Sequence, residues 1–210
     1  MAFSLEPRVS CRESMKRDRE ALEAATPSIR IYSWKNPSVT LGYSQSPDSE
    51  LNTSECDRLG IEYSARPTGG GILFHAEDDV AVSLVLPPGD SRRLLRTTAE
   101  NLRRALLRVG IPAEVSSEKG RGFSRFCATY PTTHEITVGG RKICGISQRK
   151  TRNAVLQQCA IFVNDIPGWM ARSVKGNRPP SGTLSLKSLN SLAPSFHDLA
   201  GLLISHFSTH

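Results

Sequence analysis

The sequence predicts an α+β domain whose mixed, largely antiparallel sheet is flanked by helices. Three observations point there. The periodic segments run helix, strands, helix, strands, helix, without the strict strand–helix alternation of a doubly wound parallel sheet. A chain of 210 residues reads as one domain over 1–210. A domain of that size buries about 70% of its unfolded surface, so it needs neither disulfide nor metal to hold a core. The 38% hydrophobic and 22% charged fractions are those of a globular chain rather than a disordered one.

Residues 15–25 (MKRDREALEAA) have strong helix propensity and are closed by Thr26-Pro27. Residues 29–34 and 38–42 read as short strands parted by the turn signal Lys35-Asn36-Pro37. Residues 48–59 read as one short helix ended by Gly60, and 61–65 as a strand. Gly69, Gly70 and Gly71 make a tight bend before strands at 72–75 and 80–86. Residues 91–110 form an amphipathic helix, with Leu94, Leu95, Leu102, Ala105, Leu106 and Val109 on one half of the wheel. Arg92, Arg93, Arg96, Arg103, Arg104 and Arg108 fill the other half, and only Leu107 falls among them. Residues 113–115 fit an edge strand, and 116–125 (SSEKGRGFSR) a polar, moving loop. Three strand-like segments follow at 135–138, 141–148 and 154–163, separated by Gly139-Gly140 and the basic stretch 149–153. A Pro/Gly/Ser loop at 176–182 precedes a helix at 195–207, with Leu199, Leu202, Leu203 and Phe207 on one side.

A net charge of +7 raises the expectation of an acidic partner. The arginine face of 91–110 is either a solvated helix surface or a dock for an acidic protein. Nucleic acid is not expected: aromatics are only 6%, and no zinc, helix-turn-helix or ribonucleoprotein motif accompanies the charge. No membrane association is expected, since no stretch approaches the ~18 apolar residues of a span. Cys11, Cys56, Cys127, Cys144 and Cys159 are odd in number and irregular in spacing. That pattern reads as reduced thiols in a cytoplasmic protein, and the first residues lack the apolar core of a secretion signal.

The string RPTGGGILFH (66–75) is the most informative for chemistry. Three glycines between strands let backbone N–H groups approach a ligand, or simply make a hairpin. Arg66 before them can pair with a phosphate or carboxylate. The string is neither a P-loop nor a dinucleotide fingerprint. Cys127 borders the polar loop, which sets it apart from Cys144 and Cys159 in their apolar strands. A cysteine nucleophile works as the thiolate, which a nearby ammonium favours. His75, His134, His197, His206 and His210 have no metal-ligand spacing, so no metal site is expected.

Read together, these strings resemble the lipoate–protein ligase and octanoyltransferase family, relatives of biotin–protein ligases. Met15, Asp18, Ala21 and Leu22 match its opening helix pattern, and IYSWKNPSVTLGYSQ (31–45) its Trp…Pro…Val-x-Leu-Gly-x-x-Gln element. Residues 66–75 resemble its Arg-x-Thr-Gly-Gly-Gly…His ligand loop, and RKICGISQ (141–148) its Lys-x-x-Gly-x-Ala/Ser-Gln segment. The strand at 155–163 follows as it does in the family. The similarity spans residues 15–207, which implies a catalytic domain of that fold without the C-terminal accessory domain of many ligases. The chain departs from the family pattern at Ala65, Ala76 and Gln158–Cys159.

The resemblance implies chemistry too. Ligases activate free lipoate with ATP and Mg2+, and their lysine matches Lys142. A transferase branch uses instead a cysteine 15 residues before that lysine, which is the spacing of Cys127 and Lys142. The implied activity is therefore transfer of an octanoyl or lipoyl group from acyl carrier protein, through a Cys127 thioester. The acceptor would be a lysine of a 2-oxoacid dehydrogenase lipoyl domain or of glycine-cleavage H protein, with no cofactor and a monomeric enzyme. An ATP-dependent ligase is the first alternative, and a non-catalytic acyl or carrier-protein binder the second. In the transferase reading Arg66, Thr68, Gly69, Gly70, Gly71, Ile72, Phe74, His75, Gly145 and Gln148 hold substrate. Ile72, Phe74, Val82 and Leu84 would then line an apolar acyl slot, each buried methylene contributing about 0.8 kcal/mol.

Overall fold

A computed structural model describes residues 2–118, 125–127, 131–176, 183–189 and 193–207. The chain runs β1 (Ala2–Val9), α1 (Cys11–Glu23), β2 (Ser28–Trp34), β3 (Ser38–Leu41), α2 (Pro47–Glu50), α3 (Thr53–Leu59), β4 (Glu62–Ala65), β5 (Leu73–His75) and β6 (Val80–Leu86). It continues α4 (Ser91–Arg108), β7 (Glu114–Val115), β8 (Ile136–Val138), β9 (Arg141–Lys150), β10 (Val155–Ile161), a 3-10 turn (Gly168–Ser173), α5 (Leu186–Leu189) and α6 (Phe196–Phe207). The expected loops at 116–125 and 176–182 lie largely outside the described residues.

Seven strands form one sheet in the order β1-β2-β6-β10-β9-β8-β7, antiparallel except for the β1–β2 pair. A second sheet, β4-β3-β5, pairs β3 parallel with β4 and antiparallel with β5. The mixed, largely antiparallel architecture expected of the sequence is the one observed.

The alternation of β2, β6, β10 and β9 sorts their side chains onto two faces. Ile29, Ile31, Val82, Leu84, Cys144, Cys159 and Ile161 pack with Leu102, Ala105, Leu106, Leu199 and Leu203 of α4 and α6. The opposite face carries Tyr32, Trp34 and Ala81 against Cys11 and Met15 of α1, and Val85 and Leu156 against Leu22. Beneath the small sheet, Val39, Leu41, Ile72 and Phe74 pack with Leu51, Cys56, Met170 and Val174. The space between the small sheet, α1 and the large sheet is where the candidate site lies.

Three differences from the sequence expectation have local causes. Helix α1 begins four residues early because Ser10 caps it, its Oγ accepting Glu13 N–H at 3.5 Å. The single helix expected at 48–59 is two, because Leu51 turns inward in extended conformation and bridges Val174, while Asn52 N–H donates to Ser173 O. Strand β1 was invisible to periodicity, since Phe3 and Leu5 are about 40% exposed and the strand is held by pairing to β2. As an edge strand it tolerates Pro7 at a register irregularity.

Helix α4 keeps the expected amphipathicity, with Leu107 its exposed exception. Its arginine face, however, lies across the large sheet from the candidate site. Arg103 and Arg104 are also spent on Glu100, at 2.7 and 2.8 Å, and hold that carboxylate down to about 2.

Candidate active site

The glycine loop closes the space between β4 and β5. Gly70 has φ +100°, and a Cβ there would lie 3.2 Å from both Arg66 Nη2 and Cys127 Sγ. A Cβ on Gly42 would fall 1.7 Å from Gly70 O, so the loop rests on the bare backbone at the end of β3. Gly69 is exposed and meets nothing. Buried Arg66 donates from Nη1 to Thr40 O (3.0 Å) and Thr40 Oγ1 (2.7 Å), and from Nη2 to Gly69 O (3.2 Å) and Gly71 O (2.8 Å). Its guanidinium therefore shapes the loop, where the sequence suggested an open anion clamp. Desolvation pulls its pKa down, but a guanidinium remains charged.

Cys127 is brought to this loop by residues 125–127, which run beside Ile72. Ile72 N–H donates to Arg125 O (2.7 Å), and Cys127 N–H to Ile72 O (2.9 Å). Lys142 reaches the cysteine from β9 with its side chain 1% exposed. Its Nζ donates to Cys127 O at 2.8 Å and stands 4.0 Å from Cys127 Sγ. The third partner of Nζ is Glu135 Oε1 at 2.5 Å, and Glu135 Oε2 accepts Thr132 N–H at 2.7 Å. Glu135, just before β8, is brought to Lys142 by β8–β9 pairing, a partnership that sequence spacing does not reveal. Gly145 is needed here: a Cβ would meet Lys142 Cε at 3.1 Å.

The other four thiols are buried, and burial pushes Cys56 up to about 11 and Cys11, Cys144 and Cys159 higher still. Cys127 alone is half-buried. That makes it the accessible thiol, beside the Lys142 ammonium.

From Cys127 a narrow slot runs under α1. Its apolar lining includes Met15, Tyr32, Trp34, Leu73, Ala81 and Ala160. Ile72 and Phe74 are not in it. On β5 the alternation that turns Leu73 and His75 to the slot turns Ile72 and Phe74 to the core under the small sheet. Val82 and Leu84 likewise face α4, and Ala81 takes their place in the slot.

His75 is neutral: burial, with Arg66 nearby, pulls it down to about 3. Its Nε2 lies 2.8 Å from Thr40 Oγ1, which already accepts from Arg66. Thr68 Oγ1 contacts Ser147 Oγ (2.8 Å) and donates to Gln158 Oε1 (2.6 Å). Gln158 Nε2 in turn donates to Asp18 Oδ2 (2.7 Å), and Asp18 is ion-paired with Arg30. Gln158 is thus a buried connector between the glycine loop and α1, while Cys159 faces the α4 core. Gln148 is not part of the slot. Its Nε2 donates to Ser91 O (3.1 Å) and Gln157 Oε1 (2.7 Å) on the α4 side.

Among the described residues no group of three or more His, Cys, Asp or Glu is placed to hold a metal ion, and no helix is long and apolar enough to cross a membrane. What the site holds is one thiol, one buried ammonium–carboxylate pair and an apolar slot.

The chain is similar to known proteins. The chain is 31% identical over 203 residues to octanoyltransferase LipM of Carboxydothermus hydrogenoformans, covering 91% of this chain and 72% of that one. It is 30% identical over 152 residues to octanoyltransferase LipM of Symbiobacterium thermophilum, covering 67% and 56%. The chain thus spans between about half and three quarters of the length of these relatives. The crystal structure of a lipoate-protein ligase A bound with ATP has the same fold, with a TM-score of 0.80, 22% identity, and 99% of this chain and 85% of that chain covered. Residues 10–208 match the family model of the lipoyl protein ligase A/B catalytic domain, and the chain belongs to that family.

Proposed function

We propose that this chain transfers an octanoyl group from acyl carrier protein to a lysine of a lipoyl domain or glycine-cleavage H protein, with Cys127 as nucleophile. The observation that carries the reading is the accessible Cys127 thiol at the head of an apolar slot, with Lys142 Nζ 4.0 Å away. The named LipM relatives agree with it. The thiolate attacks the donor thioester carbonyl, forming the Cys127 Sγ–C bond. The carbon–sulfur bond to the carrier breaks, and the departing carrier thiolate takes up the proton that Cys127 had lost. Lys142 faces the developing oxyanion as well as the sulfur. The acceptor's neutral amine then attacks, the C–N bond forms, the C–Sγ bond breaks, and the amine proton returns to Cys127. Thioester exchange is nearly balanced and amide formation is downhill, so no ATP enters.

Intact mass spectrometry tests this. Mixed with octanoyl–acyl carrier protein and no ATP, the protein should gain one octanoyl group, released by hydroxylamine. No adduct, together with acceptor modification from free lipoate and ATP, establishes the ligase instead.

The carrier's approach has a candidate surface at the slot mouth. Arg19 Nη2 donates to Ala65 O (3.4 Å) and Arg149 Nη1 to Pro67 O (3.1 Å), flanking the exposed glycines. Neither forms a salt bridge among the described residues, and Arg149 lies 3.7 Å over the exposed Tyr43 ring. An acidic carrier is steered here rather than to α4. Arg149→Glu should raise KM for octanoyl–acyl carrier protein about tenfold at low salt, fading as salt screens it. Arg108→Glu on α4 should leave KM unchanged, and the opposite pattern returns the docking face to α4.

A further inference from the structure

The register of the large sheet lines up the small residues of the slot. Gly145 on β9 pairs with Ala160 on β10, Ala160 with Ala81 on β6, and Ala81 with Tyr32 on β2. All four residues line the slot. The row therefore reads glycine, alanine, alanine, tyrosine, perpendicular to the strands. The next row on the same face is bulkier and polar: Ser147 pairs with Gln158, which is tied to Asp18, and Gln158 pairs with Ser83. On the other flank stand Phe162, packed with Ala160, and Trp34, packed with Ala81.

A trough one row wide thus crosses three strands. It begins beneath Cys127, which packs on Ala160, and is closed at β2 by the fully buried Tyr32, with Met15 of α1 packed against it. Strand spacing of about 4.8 Å sets about 10 Å from the Gly145 backbone to that of Ala81, and the Tyr32 side chain blocks the next step. That is the reach of a medium saturated chain anchored at the cysteine. Leu73 and His75 of β5 close the trough from the small sheet.

We infer that this row is a chain-length ruler, in which Ala81 is the specificity-determining residue and Tyr32 the end stop. The inference rests on the acyl-transfer reading and adds to it which acyl chains fit. A side chain larger than methyl at position 81 fills the far end of the trough and leaves the near end, the thiol and Lys142 untouched. Chain length is therefore selected by apolar contact at a site remote from the reacting atoms, each unburied methylene weakening binding several-fold.

The test compares wild type, Ala81→Val and Ala81→Leu with butanoyl, hexanoyl, octanoyl and dodecanoyl thioesters of acyl carrier protein, reading the rate of the Cys127 adduct. Wild type should prefer octanoyl and reject dodecanoyl. Ala81→Leu should lose about 100-fold on octanoyl relative to butanoyl, with Ala81→Val between them. A thermal melt of each variant checks that it is folded. An equal loss on all donors, or an unshifted profile, overturns the ruler. If no thioester acylates even the wild type, the transferase reading falls. Calorimetric binding of octanoate and butanoate to the same variants then decides the ruler alone, and an unchanged preference overturns it.

Discussion

Replacing Cys127 by alanine should abolish the octanoyl adduct and lower transfer to a lipoyl domain by at least about 1000-fold, the range in which removal of a covalent nucleophile falls. The substitution is structurally mild. Cys127 is half-buried, and its backbone, not its sulfur, makes the bonds that seat it against Ile72 and Lys142. Melting temperature should therefore stay within a degree or two, which separates lost chemistry from lost fold. Cys144→Ala and Cys159→Ala remove buried thiols from the α4 core and should leave the adduct intact. If Cys127→Ala retained transfer, the thioester pathway would be refuted.

Glu135→Ala should be the most destabilising single change at the site. Lys142 and Glu135 are both almost fully buried, and removing the carboxylate leaves an ammonium with only a carbonyl and a thiol beside it. Breaking a buried pair from one side costs about 3–5 kcal/mol. For a domain of this size that is a fall of roughly 10 °C in melting temperature. Transfer should fall as well, because Nζ is no longer held toward Cys127. The paired replacement Glu135→Leu with Lys142→Met should recover most of the stability, since two apolar groups replace two desolvated charges, yet remain inactive. Thermal melts and the adduct assay read the two effects separately. A double variant that regains activity would show that the ammonium is not needed.

The legible parts of the site are those where residue type alone constrains the chemistry. The glycines at 69–71 and the Arg66 before them stand out by residue type, and the family resemblance singles out the Cys127–Lys142 spacing. The structure brings these together within one cluster. Less legible were side-chain directions. Ile72 and Phe74 were expected in the slot, yet alternation turns them to the core under the small sheet, and it is Leu73 and His75 that line it. Gln148 and Gln157 pair across β9 and β10 on the face away from Gln158, so a motif glutamine became a structural one.

Composition and pattern were sufficient for the α+β class, for most strands and for the amphipathic α4. These follow from local properties: propensity, period and the cost of burying charge. The tertiary structure decided what depends on partners far apart in sequence. It chose which face of each strand meets α1 and which meets α4, and thereby replaced Val82 with Ala81 in the slot. It supplied Glu135 to Lys142, and set Arg19 and Arg149, rather than the α4 arginines, beside the glycine loop. It also aligned Gly145, Ala160, Ala81 and Tyr32 into one row. The period of a strand reports that its faces differ, but register across four strands is set by hydrogen bonding between separate segments, as between Ala81 and Ala160, and no local pattern encodes it.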